Sequence, residues 1–200
     1  MNFKIINKFD KDRIKVETFI KEKYWNIFKA TIQSYPAILV AIFDEKSVLA
    51  ACGLRTELDG FFSEIYLSTD IYSTTRKLFN HNTNPKIIEI SNLVSNNPIA
   101  SLKMTKEINK FCLDRSIDYV FFTATKLLQK FLNLTGLDLI KIGTADINKI
   151  KCVSLWGSYY ENNPNVYLAR VPELSSSILF RNIRKNLSNV EFINFSNQAL

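Results

Sequence analysis

A single histidine, His81, is present in the chain, and it sits in the polar stretch NHNTNP. A zinc centre or a histidine-activated nucleophile would rest on that one loop residue, which argues against both classes. Cysteine is sparse as well: Cys52, Cys112 and Cys152 are odd in number and far apart. Such spacing suits reduced thiols rather than a disulfide framework, and it offers no metal-binding pair. With no basic partner evident beside them, none is expected to act as a covalent nucleophile.

Long apolar runs are missing too. No stretch approaches the roughly eighteen apolar residues of a membrane span. The opening MNFKIINKFDKDR puts charges where a secretory signal would need an apolar core. A soluble, cytoplasmic protein is the expectation. The sequence also lacks zinc-finger spacing, an RNA-binding aromatic motif and a Gly-rich clamp, which argues against nucleic acid as a partner.

What the chain has is an excess of one charge: 26 Lys and Arg against 19 Asp and Glu, a formal +7. That balance favours an anionic partner such as a phosphate-bearing cofactor, an acidic protein or anionic lipid. Residues 1–34 alone hold eight Lys or Arg and four Asp or Glu. Two hundred residues, 46% of them hydrophobic and 22% charged, suffice for one domain with a substantial core.

Periodicity then sets the elements. Val16, Phe19, Ile20, Tyr24, Ile27, Phe28 and Ile32 recur at three- and four-residue steps, which predicts an amphipathic helix from Ile14 to Ile32, stopped near Pro36. The runs Ala37–Phe43 and Val48–Leu54 read as a hairpin, and Phe61–Leu67 as a third antiparallel strand after the Asp59-Gly60 turn. A short helix near Tyr72–Phe79 precedes a fourth strand, KIIEISNLVSN, Lys86–Asn96. Ile99 to Leu113 mark a helix, YVFFTAT (Tyr119–Thr125) a fifth strand, and Leu127 to Leu132 a helix ended at Gly136. Leu139–Ile142 and Val166–Arg170 are expected to add strands. The result is an α/β (α+β) domain over residues 1–174, its mixed sheet combining an antiparallel meander with a βαβ unit. Residues 175–200 form a polar tail with one short helix expected around Ile178–Leu187.

Five clusters carry candidate chemistry. KIIEISNLVSN is apolar at its start and polar at its end. Alternation puts Ile87, Glu89, Ser91 and Leu93 on one face and Ile88, Ile90, Asn92 and Val94 on the other. The polar end of such a strand is where ligand crevices open in sheets with parallel strands. The loop Ser95–Ser101, with Ser95 and Asn97, enters the next helix through Pro98, and its amides, with Lys103, would suit a phosphate. The same pattern is an ordinary capped helix start. Thr123 and Thr125 end the fifth strand beside it, as ligand hydroxyls or as a helix cap. Glu64 and Glu89 each interrupt an apolar strand, as acid/base groups or as ties to backbone amides or Arg55. Tyr66 and the aromatic loop Trp156, Tyr159 and Tyr160 are candidates for lining a substrate pocket, the loop equally for clamping itself onto the core.

The ordered set VETFIKEKYWNIFKA, SYPAILVAIFDEKSVLAACGLR, FFSEIYL, IIEISNLVSN, YVFFTATKLLQKFLNLTGL, ADINKI and WGSYYENNPNVYLARV resembles the thermostable haemolysin family over roughly Val16–Val171. That resemblance implies a sheet similar to those of Gcn5-related N-acetyltransferases and acyl-homoserine-lactone synthases. The fourth and fifth strands would splay to admit a phosphopantetheine arm. It implies an acyltransferase-like enzyme that moves an acyl group from acyl carrier protein or coenzyme A to an amine or hydroxyl of a small acceptor. Glu89 or Glu64 would take the proton. Ser91, Asn92, Leu93, Ser95, Asn97, Lys103, Thr123 and Thr125 would hold the donor, and Arg55, Tyr66, Trp156, Tyr159 and Tyr160 the acceptor. No metal is implied. Related acetyltransferases have a Gly-rich basic loop after the fourth strand, whereas SNNPIASLKM has no glycine and only Lys103. That difference leaves room for a carrier-protein donor, whose acidic surface suits a +7 chain. Two alternatives stay open: a membrane-active protein using the basic N-terminal helix in peripheral contact with anionic lipid, and an S-adenosylmethionine-using lactone synthase.

Overall fold

The computed structural model describes residues 1–80 and 82–172. His81 and the expected tail helix lie outside the described residues. Within the described residues seven strands form one sheet: β1 (Asn2–Ile6), β2 (Ile38–Asp44), β3 (Ser47–Arg55), β4 (Ile87–Ser95), β5 (Tyr119–Ala124), β6 (Ile140–Thr144) and β7 (Asn165–Arg170). Their spatial order is β1-β2-β3-β4-β5-β7-β6. Every neighbouring pair is antiparallel except β4 and β5, which run parallel. Among the described residues four α-helices flank the sheet: α1 (Arg13–Phe28), α2 (Ile71–Phe79), α3 (Pro98–Asp114) and α4 (Lys126–Leu134).

Strand alternation divides the core. Val40, Ile42, Ile88, Ile90, Val120 and Phe122 meet α3 and α4 on one face. Leu39, Ala41 and Phe43 meet α1 on the other, where Ile87, Tyr119 and Phe121 meet Tyr66 and Ile71. This is the mixed sheet with a parallel crossover that the periodicity implies. Among the described residues no helix is long and apolar enough to cross a membrane.

Three local expectations need correction. Phe61–Leu67 is not a strand: Ser63–Tyr66 is a 3-10 turn, because the edge of β3 is already occupied by β4, with Arg55 opposite Glu89. The antiparallel run is instead completed by β4 and by β1, a short edge strand whose Lys4 reaches out to Asp10 and Asp12. Helix α1 stops at Phe28, since Lys29 turns left-handed at φ 56°, leaving Ile32 in the connection to β2.

Alternation along β4 also breaks. Gly53 pairs with Ser91 and Ala51 with Val94, so Asn92 and Leu93 together face Cys52 across a β-bulge. Asn92 absorbs it at φ 55°, a region Asn tolerates better than most residues. Past the bulge the faces exchange: Leu93 joins the α3 side and Val94 the α1 side. The bend carries β4 away from β5. Only Ile87, Ile88 and Glu89 pair with Tyr119, Val120 and Phe121, and beyond them the two strands part.

Two connections close over the gap from the α1 side. The segment after α1 is tied down by Arg13, whose guanidinium donates to the carbonyls of Ala37 at 3.0 Å and Pro36 at 2.7 Å. The aromatic loop locks against α1 through Ser158 N–H on the Phe28 carbonyl at 2.8 Å and Thr31 N–H on the Leu155 carbonyl at 2.7 Å. Gly157 makes this approach possible, with φ 48° and a Cβ position that would run into the Phe28 carbonyl oxygen. Gly157→Ala is expected to lower unfolding free energy by about 2–4 kcal/mol in urea titrations, from left-handed strain plus overpacking. A loss inside the error of the titration would contradict the locked-loop description.

Candidate active site

Where β4 and β5 part, two cavities meet. One, of about 100 Å³, lies toward α3 and α4 and is largely apolar, with Leu93, Leu102, Ile108, Val120, Phe122 and Leu128 in its walls. The second, of about 460 Å³, opens on the α1 side and is more polar, lined by Arg55, Ser63, Glu89, Ser91, Lys149 and Lys151 among others. Tyr24, Ile90, Asn92, Thr123 and Tyr159 border both. A passage through the sheet is thus apolar at one end and charged at the other.

Glu89 lines the polar cleft, next to Ile90 at the junction, and is only 1% exposed. Its Oε2 accepts from Phe62 N–H at 2.6 Å; its Oε1 accepts from Ser63 N–H at 2.9 Å and from Ser63 Oγ at 2.6 Å. The turn that replaces the expected strand is therefore folded around this carboxylate. Burial pushes the Glu89 carboxyl above its ordinary range, and the bonds from Ser63 and Phe62, with the charge of Arg55, offset that only in part. Ser63 Oγ also lies 2.8 Å from Thr123 Oγ1 at the end of β5.

Polar atoms without partners cluster here. Among the described residues, Arg55 Nε, Ser91 Oγ and Asn92 Oδ1 are buried and make no hydrogen bond. Unmade bonds of this kind cost about 1–3 kcal/mol each and commonly mark ligand contacts. Ser91 stays close to the sheet because Gly53 opposite has no side chain; a Cβ there would meet Ser91 Oγ at 2.6 Å. On the rim, Lys149 Nζ donates to the Tyr66 carbonyl at 3.1 Å. Tyr66 and Tyr160 share a hydroxyl–hydroxyl hydrogen bond. Burial raises the Tyr66 phenol, and the bond to Tyr160 adds to it, so it stays protonated at any ordinary pH. Trp156 stacks on Phe62 at 5.5 Å, and Tyr159 packs against Tyr24 and Phe28.

The sequence-derived candidates thus fall into two groups. Glu89, Arg55, Ser91, Asn92, Thr123, Tyr66, Trp156 and Tyr159 line the polar cleft, while Leu93 and Thr125 border the apolar cavity. Thr125 Oγ1 also caps α4, accepting from Leu128 N–H at 3.4 Å. The others face elsewhere. Glu64 Oε1 accepts from Ile71 N–H at 2.7 Å, at the start of α2. Ser95 Oγ donates to the Asn97 carbonyl at 2.8 Å, Asn97 Oδ1 accepts from Ala100 N–H at 2.9 Å, and Lys103 pairs with Glu107 at 2.9 Å. Phe62, Ser63, Tyr24, Lys149 and Lys151 also line the polar cleft, and no motif marks them. Ser63 was legible only as part of an assumed strand, and Tyr24 reads from periodicity as core.

Buried Cys112 has its thiol pushed up to about 12 by desolvation, and burial raises Cys52 further. Neither is a ready nucleophile. Among the described residues no group of three or more His, Cys, Asp or Glu could hold a metal ion.

Comparison places this architecture. The family model described as "Thermostable hemolysin" matches residues 6–174, and the chain belongs to the thermostable haemolysin family. Its fold is similar to that of the AHL synthase LasI, with TM-score 0.59 and 13% identity over 89% of this chain and 93% of that one. FeeM, an N-acyl amino acid synthase from uncultured soil microbes, gives TM-score 0.59 and 13% identity over 86% and 97%. MesI, a CoA-dependent acyl-homoserine lactone synthase, gives 0.54 and 12% over 96% and 98%. No curated protein matches the sequence.

The raised Glu89 carboxyl has a stability consequence of definite sign. Above the ordinary value of 4.5 the unfolded chain releases this proton while the folded chain keeps it, so raising the pH favours unfolding. Glu89→Gln removes the titration. The unfolding free energy of the native chain minus that of Glu89→Gln should therefore fall as pH rises from about 4.5 through the raised value. Urea titrations across pH measure it; a difference that grows with pH would contradict the assignment.

Proposed function

We propose that this member of the thermostable haemolysin family transfers an acyl group from a pantetheine thioester to the amine of a small, carboxylate-bearing acceptor. The observation that carries this is the junction of the two cavities at the parting of β4 and β5. An acyl chain belongs in the apolar cavity between the sheet, α3 and α4, where Leu102, Ile108, Phe122 and Leu128 exclude water. A charged acceptor belongs in the polar cleft, with the reacting carbonyl and nitrogen brought together near Asn92 and Thr123, which border both spaces. Glu89 is the proton acceptor. Its raised basicity brings it nearer to the working pH of an amine nucleophile than an exposed glutamate would be.

Charge in the cleft selects the acceptor. Arg55, Lys149 and Lys151 face a single carboxylate, Glu89, whose oxygens are already bonded to Phe62 and Ser63. That imbalance favours an acceptor bringing its own anion, as an amino acid does; FeeM, similar in fold, is an N-acyl amino acid synthase. Arg55 would hold the acceptor carboxylate.

The donor reading follows from the start of α3. Asn97 Oδ1 occupies Ala100 N–H, the Asn97 carbonyl occupies Ser101 N–H at 3.1 Å, and Pro98 has no N–H to offer. A pyrophosphate finds little to bind there, which favours a carrier-protein thioester over coenzyme A. Lys106 and Lys110 on α3 and Lys126 and Lys130 on α4 suit the acidic surface of such a carrier.

The test is thiol release and product mass with acyl carrier protein and coenzyme A thioesters against amino acids and their decarboxylated amines. Turnover is expected with amino acids and faster with the carrier protein. Arg55→Ala should raise the acceptor KM by about tenfold or more, the worth of a charge-assisted bond. Equal turnover with the decarboxylated amines would contradict the acceptor assignment, and none with any pair would contradict acyl transfer.

A further inference from the structure

Glu89 presents little of itself to the acceptor. It is 1% exposed, and the turn at Phe62 and Ser63 wraps both its oxygens. Its proton would arrive more readily through another group, and the surrounding hydrogen bonds supply a route. An ionised carboxylate only accepts, so at 2.6 Å Ser63 Oγ donates its single proton to Glu89 Oε1. Ser63 Oγ has then spent its donor, so the 2.8 Å contact with Thr123 must run the other way, with Thr123 Oγ1 donating. Thr123 in turn has spent its proton, and its oxygen keeps a lone pair at the place where both cavities meet. Each donor in the chain is fixed by the one before it.

We infer that Thr123 and Ser63 form a hydroxyl relay that carries the acceptor amine's proton to Glu89. The inference rests on the acyl-transfer reading and extends it to two residues that would otherwise count only as a strand end and a turn. The acceptor enters as an ammonium ion and donates to Thr123 Oγ1. One proton moves from nitrogen to Thr123, another from Thr123 to Ser63, and a third from Ser63 to Glu89 Oε1, leaving a neutral amine and a protonated carboxyl. The amine nitrogen attacks the thioester carbon; the C–N bond forms, the C–S bond breaks, and the thiolate leaves with the electron pair. The nitrogen's surplus proton neutralises that thiolate, giving amide and thiol. Protonated Glu89 then donates back to Ser63, every bond in the chain reverses, and Thr123 releases the proton to water after the product leaves. No oxidant, metal or further reactant is needed.

Burial leaves the outer end of the chain the most accessible. Ser63 is 1% exposed and Thr123 is half-buried, so water reaches the relay where the substrate does. The other ionisable groups lining its cleft are Arg55 from β3, Lys149, Lys151 and Cys152, Tyr24 from α1, and the phenols of Tyr66 and Tyr159, which sense the Glu89 charge. Both phenols stay protonated as pH rises through the carboxyl's range, so the low-pH limb of kcat/KM reports Glu89.

Thr123→Val keeps the shape and deletes the hydroxyl, while Thr123→Ser keeps the hydroxyl. The readouts are kcat, donor KM and the pH profile of acyl transfer for both variants and for Ser63→Ala. Thr123→Val and Ser63→Ala are expected to lower kcat by about a hundredfold or more, the range of general base catalysis. Thr123→Val should also lose the Glu89 limb, and Thr123→Ser should restore it. Retention of kcat within about threefold in Thr123→Val, or a loss confined to donor KM, would overturn the relay while leaving acyl transfer standing. Absence of turnover in the native chain with every thioester and amine would overturn both.

Discussion

The architecture of the site depends on a carboxylate held inside a sheet. Glu89 lies on the strand that pairs with β3 on one side and β5 on the other, at the last residue where β4 and β5 still bond. A buried charge there needs partners, and the sheet has none to spare. The chain supplies them by folding residues 62 and 63 back as a turn whose two N–H groups and one hydroxyl converge on the carboxylate. That turn then places Phe62 against Trp156, and Trp156 carries the loop that locks onto the end of α1. One polar requirement in the sheet thus organises a wall of the cleft.

The bulge at Asn92 is the second constraint, and it works with the first. If β4 continued in register, its pairing with β5 would close the sheet and leave Glu89 as an ordinary buried tie. The extra residue bends β4 away and opens a passage, and three polar atoms around it stay without protein partners. Apolar walls toward α3 and α4 and cationic walls toward the rim give that passage two ends of different chemistry. Two substrates of different character would meet only at its middle.

Much of the scaffold was legible in the sequence because it is periodic. The β2–β3 hairpin, the β4-α3-β5 crossover and the polar end of KIIEISNLVSN follow from two-, three- and four-residue spacing. What escaped depends on tertiary competition. FFSEIYL has the composition of a strand, yet β4 takes the edge of β3 beside which it was expected. Glu64 drew attention as the interrupting carboxylate of that supposed strand, but it caps α2, and Ser63 beside it holds Glu89. Nothing local distinguishes the two. Alternation also failed beyond Ser91, since a bulge of one residue exchanges faces and Asn, unlike Gly, does not announce it. Lys149 and Lys151 sit in an irregular segment without period, so only the folded chain brings them to the cleft.

The measurement that bears most directly on the joined cavities is a crystal structure with a non-hydrolysable acyl-pantetheine thioether. The arm should lie between β4 and β5, the acyl chain should run among Leu102, Ile108, Phe122 and Leu128, and the atom replacing the thioester carbonyl should sit near Asn92 and Thr123. A ligand bound outside the parting of β4 and β5, or with its chain in the polar cleft beside Arg55, would contradict the account.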